Sequence, residues 1–168
     1  TRARQMKNIL IIRFLKKYLP YLFLVSLSLI PLFWLINRPG ILINGSDTNF
    51  PLNPEIWFTR RLFVWNSVVN AGMDFSSSMA GLFFHFLQFL PYKLGLGLQQ
   101  VQIFTLIFWF AAIIFSSFFL AKTMLPKKRI LQILFVVFYT FNTYIFNTWE
   151  NVKVANLALV AAIPLVIS

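Results

Sequence analysis

A long polar island lies between apolar walls in this chain, and that contrast constrains what it can fold into more than any other feature. The island runs from about Asn37 to Met79 and holds three of the four acidic residues, Asp47, Glu55 and Asp74. Of the 168 residues, 59% are hydrophobic and 11% are charged, with 21 Phe and 5 Trp. A soluble domain is nearer to about 45–50% apolar and about 25% charged. One small core cannot cover so much apolar surface, so the composition predicts an integral membrane protein. A membrane chain that gathers its few carboxylates in one loop is expected to do its chemistry there.

The formal net charge is +11. The basic residues sit at the ends of apolar runs rather than along a polar face. Arg2, Arg4, Lys7, Arg13, Lys16 and Lys17 precede the first run, and Lys122, Lys127, Lys128 and Arg129 fall between two later ones. That distribution points to membrane topology and a lipid bilayer as partner, not to nucleic acid. With no cysteine, a disulfide scaffold or thiolate chemistry has no residues to use.

The expected fold class is all-α: a polytopic transmembrane helical bundle with a long exoplasmic first loop carrying interfacial helices. Residues 1–18 form a basic cytoplasmic segment and 19–36 the first span, a retained anchor because no small-residue cleavage pattern follows it. Residues 37–100 form the exoplasmic loop. Further spans are expected at 101–121, 130–146 and 154–168. The last of these stops inside an apolar run, and the chain opens at Thr1, so an amino-terminal fragment of a larger membrane protein is expected.

Within the loop, Asn53-Pro54-Glu55 is a helix start, with a capping Asn, Pro at the first position and an acid in the first turn. Phe58, Leu62, Trp65 and Val69 then recur with helical spacing, which predicts a short helix lying on the outer leaflet. Residues 80–98 are apolar but hold His85, Gln88, Pro91 and Lys93. Read as a full span, this stretch would put the Lys127-Lys128-Arg129 cluster outside. Read as an interfacial or re-entrant helix, it keeps the cluster inside, which the positive-inside bias favours.

Asp47, in Asn44-Gly45-Ser46-Asp47-Thr48, can serve as a general base or a metal ligand, or simply close an Asx turn. Asp74 can bind substrate or cap the residues after it. Arg60 and Arg61 point about 100° apart on a helix, so one can hold a phosphate by bidentate hydrogen bonds, or both can simply touch lipid headgroups. His85, among Phe83, Phe84 and Phe86, lacks any metal-ligand spacing and reads as a core or interfacial histidine. Glu150 is placed to pair with Lys153. Asn44-Gly45-Ser46 also fits the N-glycosylation acceptor pattern.

Two sets of residues carry a resemblance. Gly45-Ser46-Asp47-Thr48-Asn49-Phe50, Pro54, Leu62, Trp65-Asn66 and Gly72 form the first; Tyr139-Thr140-Phe141-Asn142, Leu157 and Ile163-Pro164 form the second. Together with the order of spans they resemble the GT-C class of membrane glycosyltransferases. The closer likeness is to the large arabinofuranosyltransferase-like family of the prokaryotic envelope. Ser46 separates Gly from Asp where that pattern has them adjacent, and Thr143 follows Asn142 where it has a Pro.

The resemblance implies transfer of a sugar from a polyprenyl-phosphate carrier to a glycan or lipid acceptor of the cell envelope. It makes Asp47 the catalytic base. Arg60, Arg61 or a divalent metal would meet the leaving phosphate, and Asp74 would join the substrate site. Two readings without chemistry compete with it, a lipid-linked oligosaccharide flippase or transporter and a membrane-anchoring subunit. A transporter would place ionisable groups at mid-membrane in discontinuous spans.

Overall fold

The computed structural model describes residues 18–35, 38–43, 50–67, 72–74, 76–150 and 154–168. Helix dominates, and the central element is α5, Leu98–Met124, 27 residues of almost entirely apolar sequence. At ~1.5 Å per residue it is about 40 Å long, more than the ~30 Å hydrocarbon core of a bilayer. Among the described residues it is the one helix long and apolar enough to cross a membrane by itself. Leu106, Phe110, Ile113 and Ile114 of α5 are fully or almost fully buried. Its buried hydroxyls return to its own backbone. Thr105 Oγ1 donates to the Val101 carbonyl, Ser116 Oγ to that of Ile113 and Ser117 Oγ to that of Ile114. Each of these hydroxyls is thereby satisfied inside an apolar helix.

The other apolar stretches are shorter or interrupted, where uninterrupted spans were expected over 19–36 and 130–146. The first is helical over residues 18–28 (α1), passes through a turn at Leu29 and resumes as α2, Ile30–Leu35. Pro31 explains the break, since it has no N–H to donate and its ring crowds the carbonyl four residues before it. The second starts as α6, Arg129–Thr140, and stops in the middle of the expected span. After Phe141 and Asn142 the chain continues as α7, Thr143–Glu150. Asn142 makes this break tolerable. Its Nδ2 donates to the Tyr139 carbonyl at the end of α6, and its Oδ1 accepts from Ile145 N in the first turn of α7. The Glu150–Lys153 pairing falls on side chains outside the description.

The last helix, α8, Val154–Ile167, packs Leu157, Val160 and Ala161 into the core with α5. Pro164 lies inside it and cannot donate to the Val160 carbonyl. Tyr139 of α6 fills that place: its hydroxyl donates to Val160 O at 2.9 Å.

The two ends of the assembly differ in chemistry. At one end α1 begins beside the α5–α6 turn, with Tyr21 edge-on to Phe118 at 5.7 Å. At the other end two glutamines one turn apart on α5 bind the segment 38–43. Gln102 accepts from Ile43 N at 2.8 Å and donates to Ile43 O at 3.0 Å. Gln99 accepts from Gly40 N at 3.3 Å and donates to Arg38 O at 2.7 Å.

Tyr139→Phe removes the side-chain donor on Val160 O and should lower unfolding stability by about 1–3 kcal/mol, the usual cost of stranding a buried carbonyl. In a Pro164→Ala background α8 regains its own N–H donor, so the same substitution should cost much less. Thermal or denaturant unfolding of the four variants reads the coupling.

Candidate functional site

The polar island folds back on itself as a helical hairpin. Helix α3, Pro54–Arg61, begins as its sequence predicts: Asn53 Oδ1 accepts from Ile56 N at 3.0 Å, and Pro54 and Glu55 occupy the first turn. It ends at Arg61, eight residues on, instead of continuing to Val69. The chain turns instead into a two-stranded antiparallel ribbon, β1 (Trp65–Asn66) with β2 (Met73–Asp74). Gly72 shows why. Its φ is +108°, and a Cβ there would lie 2.4 Å from the Trp65 ring, so the indole lies directly over a bare glycine. That long-range contact outweighs the helical spacing of Trp65. A 3-10 turn, Ser76–Gly81, then leads into α4, Leu82–Lys93.

α3 and α4 pack antiparallel. Phe58 stacks on Phe89 at 4.6 Å and meets Phe86 at 5.8 Å, and Glu55 forms an ion pair with Lys93. At the other end of the pair, Trp57 stacks on His85 with ring centroids 6.0 Å apart and planes inclined 25°. The Arg61 guanidinium lies over the Trp57 ring, 5.3 Å from its centroid. Trp57 and Arg61 are i and i+4 on one helix, so they stack naturally. Gly81 borders the cluster; a Cβ there would meet an Arg61 nitrogen at 3.4 Å and the His85 ring at 3.6 Å, ordinary van der Waals contact.

His85 is 5% exposed, and its titration is pushed down to about 4. Burial is the main cause, the Arg61 charge adds to it, and a hydrogen bond with Gln88 opposes both. The imidazole is therefore neutral at pH 7. Its Nδ1 is buried with no hydrogen-bond partner among the described residues. Burial also lowers the Arg61 pKa, although a guanidinium stays charged. The result is a partly dehydrated cation beside a neutral ring that can donate or accept one hydrogen bond. Such a pair suits an oxyanion such as phosphate.

The residues expected to form a site are not all gathered here. Asp47 lies outside the described residues. Arg60 is exposed, whereas Arg61 is the arginine turned toward α4. Asp74 faces solvent, and its carboxylate accepts from Ser76 N at 2.8 Å and Ser76 Oγ at 3.1 Å, which lowers its pKa. No three His, Asp or Glu side chains converge among the described residues. Trp57 and Gln88 were not expected at a site. Their signal was available, because Trp57–Arg61 and His85–Gln88 are both helical neighbours.

The adjoining face of α4 opens on a different surface. Phe83 and Phe84 wall one side of a groove of about 550 Å³, with Trp109 of α5 beneath and Ala158, Ala161 and Ala162 of α8 opposite. Phe84 and Trp109 are 5.3 Å apart, centroid to centroid. Consecutive residues of one short helix thus serve a hydrocarbon groove and a cationic cluster. Comparison with known proteins returned no match, whether to a family model, a curated protein or a solved structure.

The sign of the pH effect follows from His85. Its folded pKa lies below the unfolded value of about 6.5, so its contribution is complete above pH ~6.5 and is lost as pH falls toward 4. Unfolding midpoints should therefore fall across that window in the wild type and less so in His85→Phe, as read by tryptophan fluorescence.

Proposed function

We propose that this chain is part of a membrane glycosyltransferase of the GT-C type, moving a sugar from a polyprenyl-phosphate donor to a glycan or lipid acceptor at the exoplasmic face of the cell membrane. The observation that carries this reading is the pairing on α4 of the Arg61–His85 cluster with the groove between α4, α5 and α8. A polyprenyl phosphate has the matching form, one charged end and a long unsaturated tail.

In this reading α5 crosses the bilayer whole, and α1–α2, α6–α7 and α8 cross as shorter or broken spans. The start of α1 and the basic α5–α6 turn share one end, which the positive-inside rule assigns to the cytoplasm. Segment 38–43 is tied to the opposite end of α5, so the first loop is exoplasmic. Asp47 belongs to that loop by sequence, between Ile43, held by Gln102, and buried Phe50.

The acceptor hydroxyl oxygen attacks the anomeric carbon and gives its proton to the Asp47 carboxylate. The bond from the anomeric carbon to the phosphate oxygen breaks, and its electron pair leaves with polyprenyl phosphate. Arg61 meets the charge that develops there. Arg60, exposed on the neighbouring face, contacts headgroups. A divalent cation, the other means of meeting that charge, would draw on Asp47 and Asp74, the latter already bonded to Ser76.

One feature favours transport without chemistry: the break between α6 and α7, which resembles the discontinuous spans of transporters. Its residues, Thr140, Phe141 and Asn142, are neutral.

In proteoliposomes holding the full-length protein and a polyprenyl-phosphate sugar, Asp47→Asn should reduce transfer by about 10²- to 10⁴-fold at unchanged expression. Turnover at the wild-type rate would remove Asp47 from the chemistry. Arg61→Gln should weaken donor binding more than Arg60→Gln, since only Arg61 is partly buried. Donor movement without any transfer in the wild type would favour the flippase.

A further inference from the structure

The end of the molecule remote from the α3–α4 hairpin carries a second site of a different kind. A cavity of about 410 Å³ opens between the start of α1, the end of α5 and the start of α6. Lys122, Lys127 and Arg129 line it together with Gln132. Its remaining wall includes Tyr21 and Phe118, held edge to face. Lys127 reaches its place through a left-handed backbone, φ +69°. Gln132 is fixed by the bond from its Nε2 to the Leu125 carbonyl.

Membrane topology alone would require basic residues in this turn. It would not require three of them to ring a cavity with an aromatic wall. Nor would it require what lies next to that cavity. A wholly apolar groove of about 340 Å³, between α1 and α6, is lined by Leu19, Phe23 and Ile133 and shares Pro20 with the basic cavity. A cationic chamber opening on an apolar groove is complementary to one kind of molecule, an amphiphile with an anionic head and a hydrocarbon chain. A soluble phosphate uses only the first half, and a zwitterionic lipid brings with its phosphate a headgroup cation that Lys122, Lys127 and Arg129 repel.

We infer that this end of the molecule binds an anionic phospholipid, its phosphate among Lys122, Lys127 and Arg129 and one acyl chain in the groove between α1 and α6. The inference requires that α1, α5 and α6 sit in a bilayer. It does not require that the chain transfer a sugar, and its test uses no transferase assay. Basic pockets between membrane helices take anionic headgroups by the same electrostatics.

The probes are phosphatidylglycerol, phosphatidylcholine and inorganic phosphate, each titrated into the full chain purified in a neutral detergent. Phosphatidylglycerol should bind saturably and phosphatidylcholine much more weakly. At about five-fold per cation near a lipid anion, Lys122→Gln with Lys127→Gln should weaken phosphatidylglycerol binding about thirty-fold. Both side chains are exposed, so the variant should keep the wild-type helical circular dichroism. Arg38→Gln, one cation fewer at the opposite end, should bind like the wild type. Ile133→Trp, which fills the groove, should weaken the lipid and leave inorganic phosphate unaffected. Equal binding of the two lipids, unchanged binding by the double variant, or displacement of phosphatidylglycerol by an equal concentration of inorganic phosphate would overturn the proposal.

Discussion

Every polar backbone group in an apolar setting must find its partner within the protein, and the design of this chain follows from that constraint. α5 meets it as an unbroken helix, whose buried hydroxyls also bond back to its own carbonyls. The break after α6 meets it with one asparagine serving both helix ends. The gap left by Pro164 is met from another helix, through Tyr139. Segment 38–43, which belongs to no helix or sheet, is met by two glutamines offering both donor and acceptor. At the three irregular places one or two polar residues supply the missing partners.

Function is read from how the two ends differ. One end gathers a neutral histidine, a stacked arginine and an apolar groove around α4. The other gathers exposed cations around a cavity beside α1. Both arrangements place positive charge next to hydrocarbon. They differ in hydration: Arg61 is partly buried and stacked on an indole, while Lys122 and Lys127 stay in contact with solvent. A partly dehydrated guanidinium holds a phosphate in one geometry, and flexible ammonium groups gather around any anionic head.

Much of this was legible in the residues. The charge-bounded apolar run at 101–121 is α5, slightly longer at both ends. Asn53-Pro54-Glu55 starts a helix with the cap it predicts. His85 is buried, as its phenylalanine neighbours suggest. What escaped was decided by contacts distant in sequence. The end of α3 depends on Trp65 finding Gly72, and helical spacing cannot report that. The choice between Arg60 and Arg61 depends on where α4 lies, because adjacent residues on a helix are equivalent until one face is covered. Pro31 and Asn142 were visible as residues, but a hydropathy pattern treats both as minor interruptions of an apolar run.

The bond between α6 and α8 ties two positions that no helix pattern connects. The proline within α8 leaves the Val160 carbonyl without its helical donor, and a hydroxyl from α6 supplies one. Residues 139 and 164 are thereby coupled through one carbonyl oxygen, and restoring an N–H at position 164 would remove the need for the hydroxyl at 139.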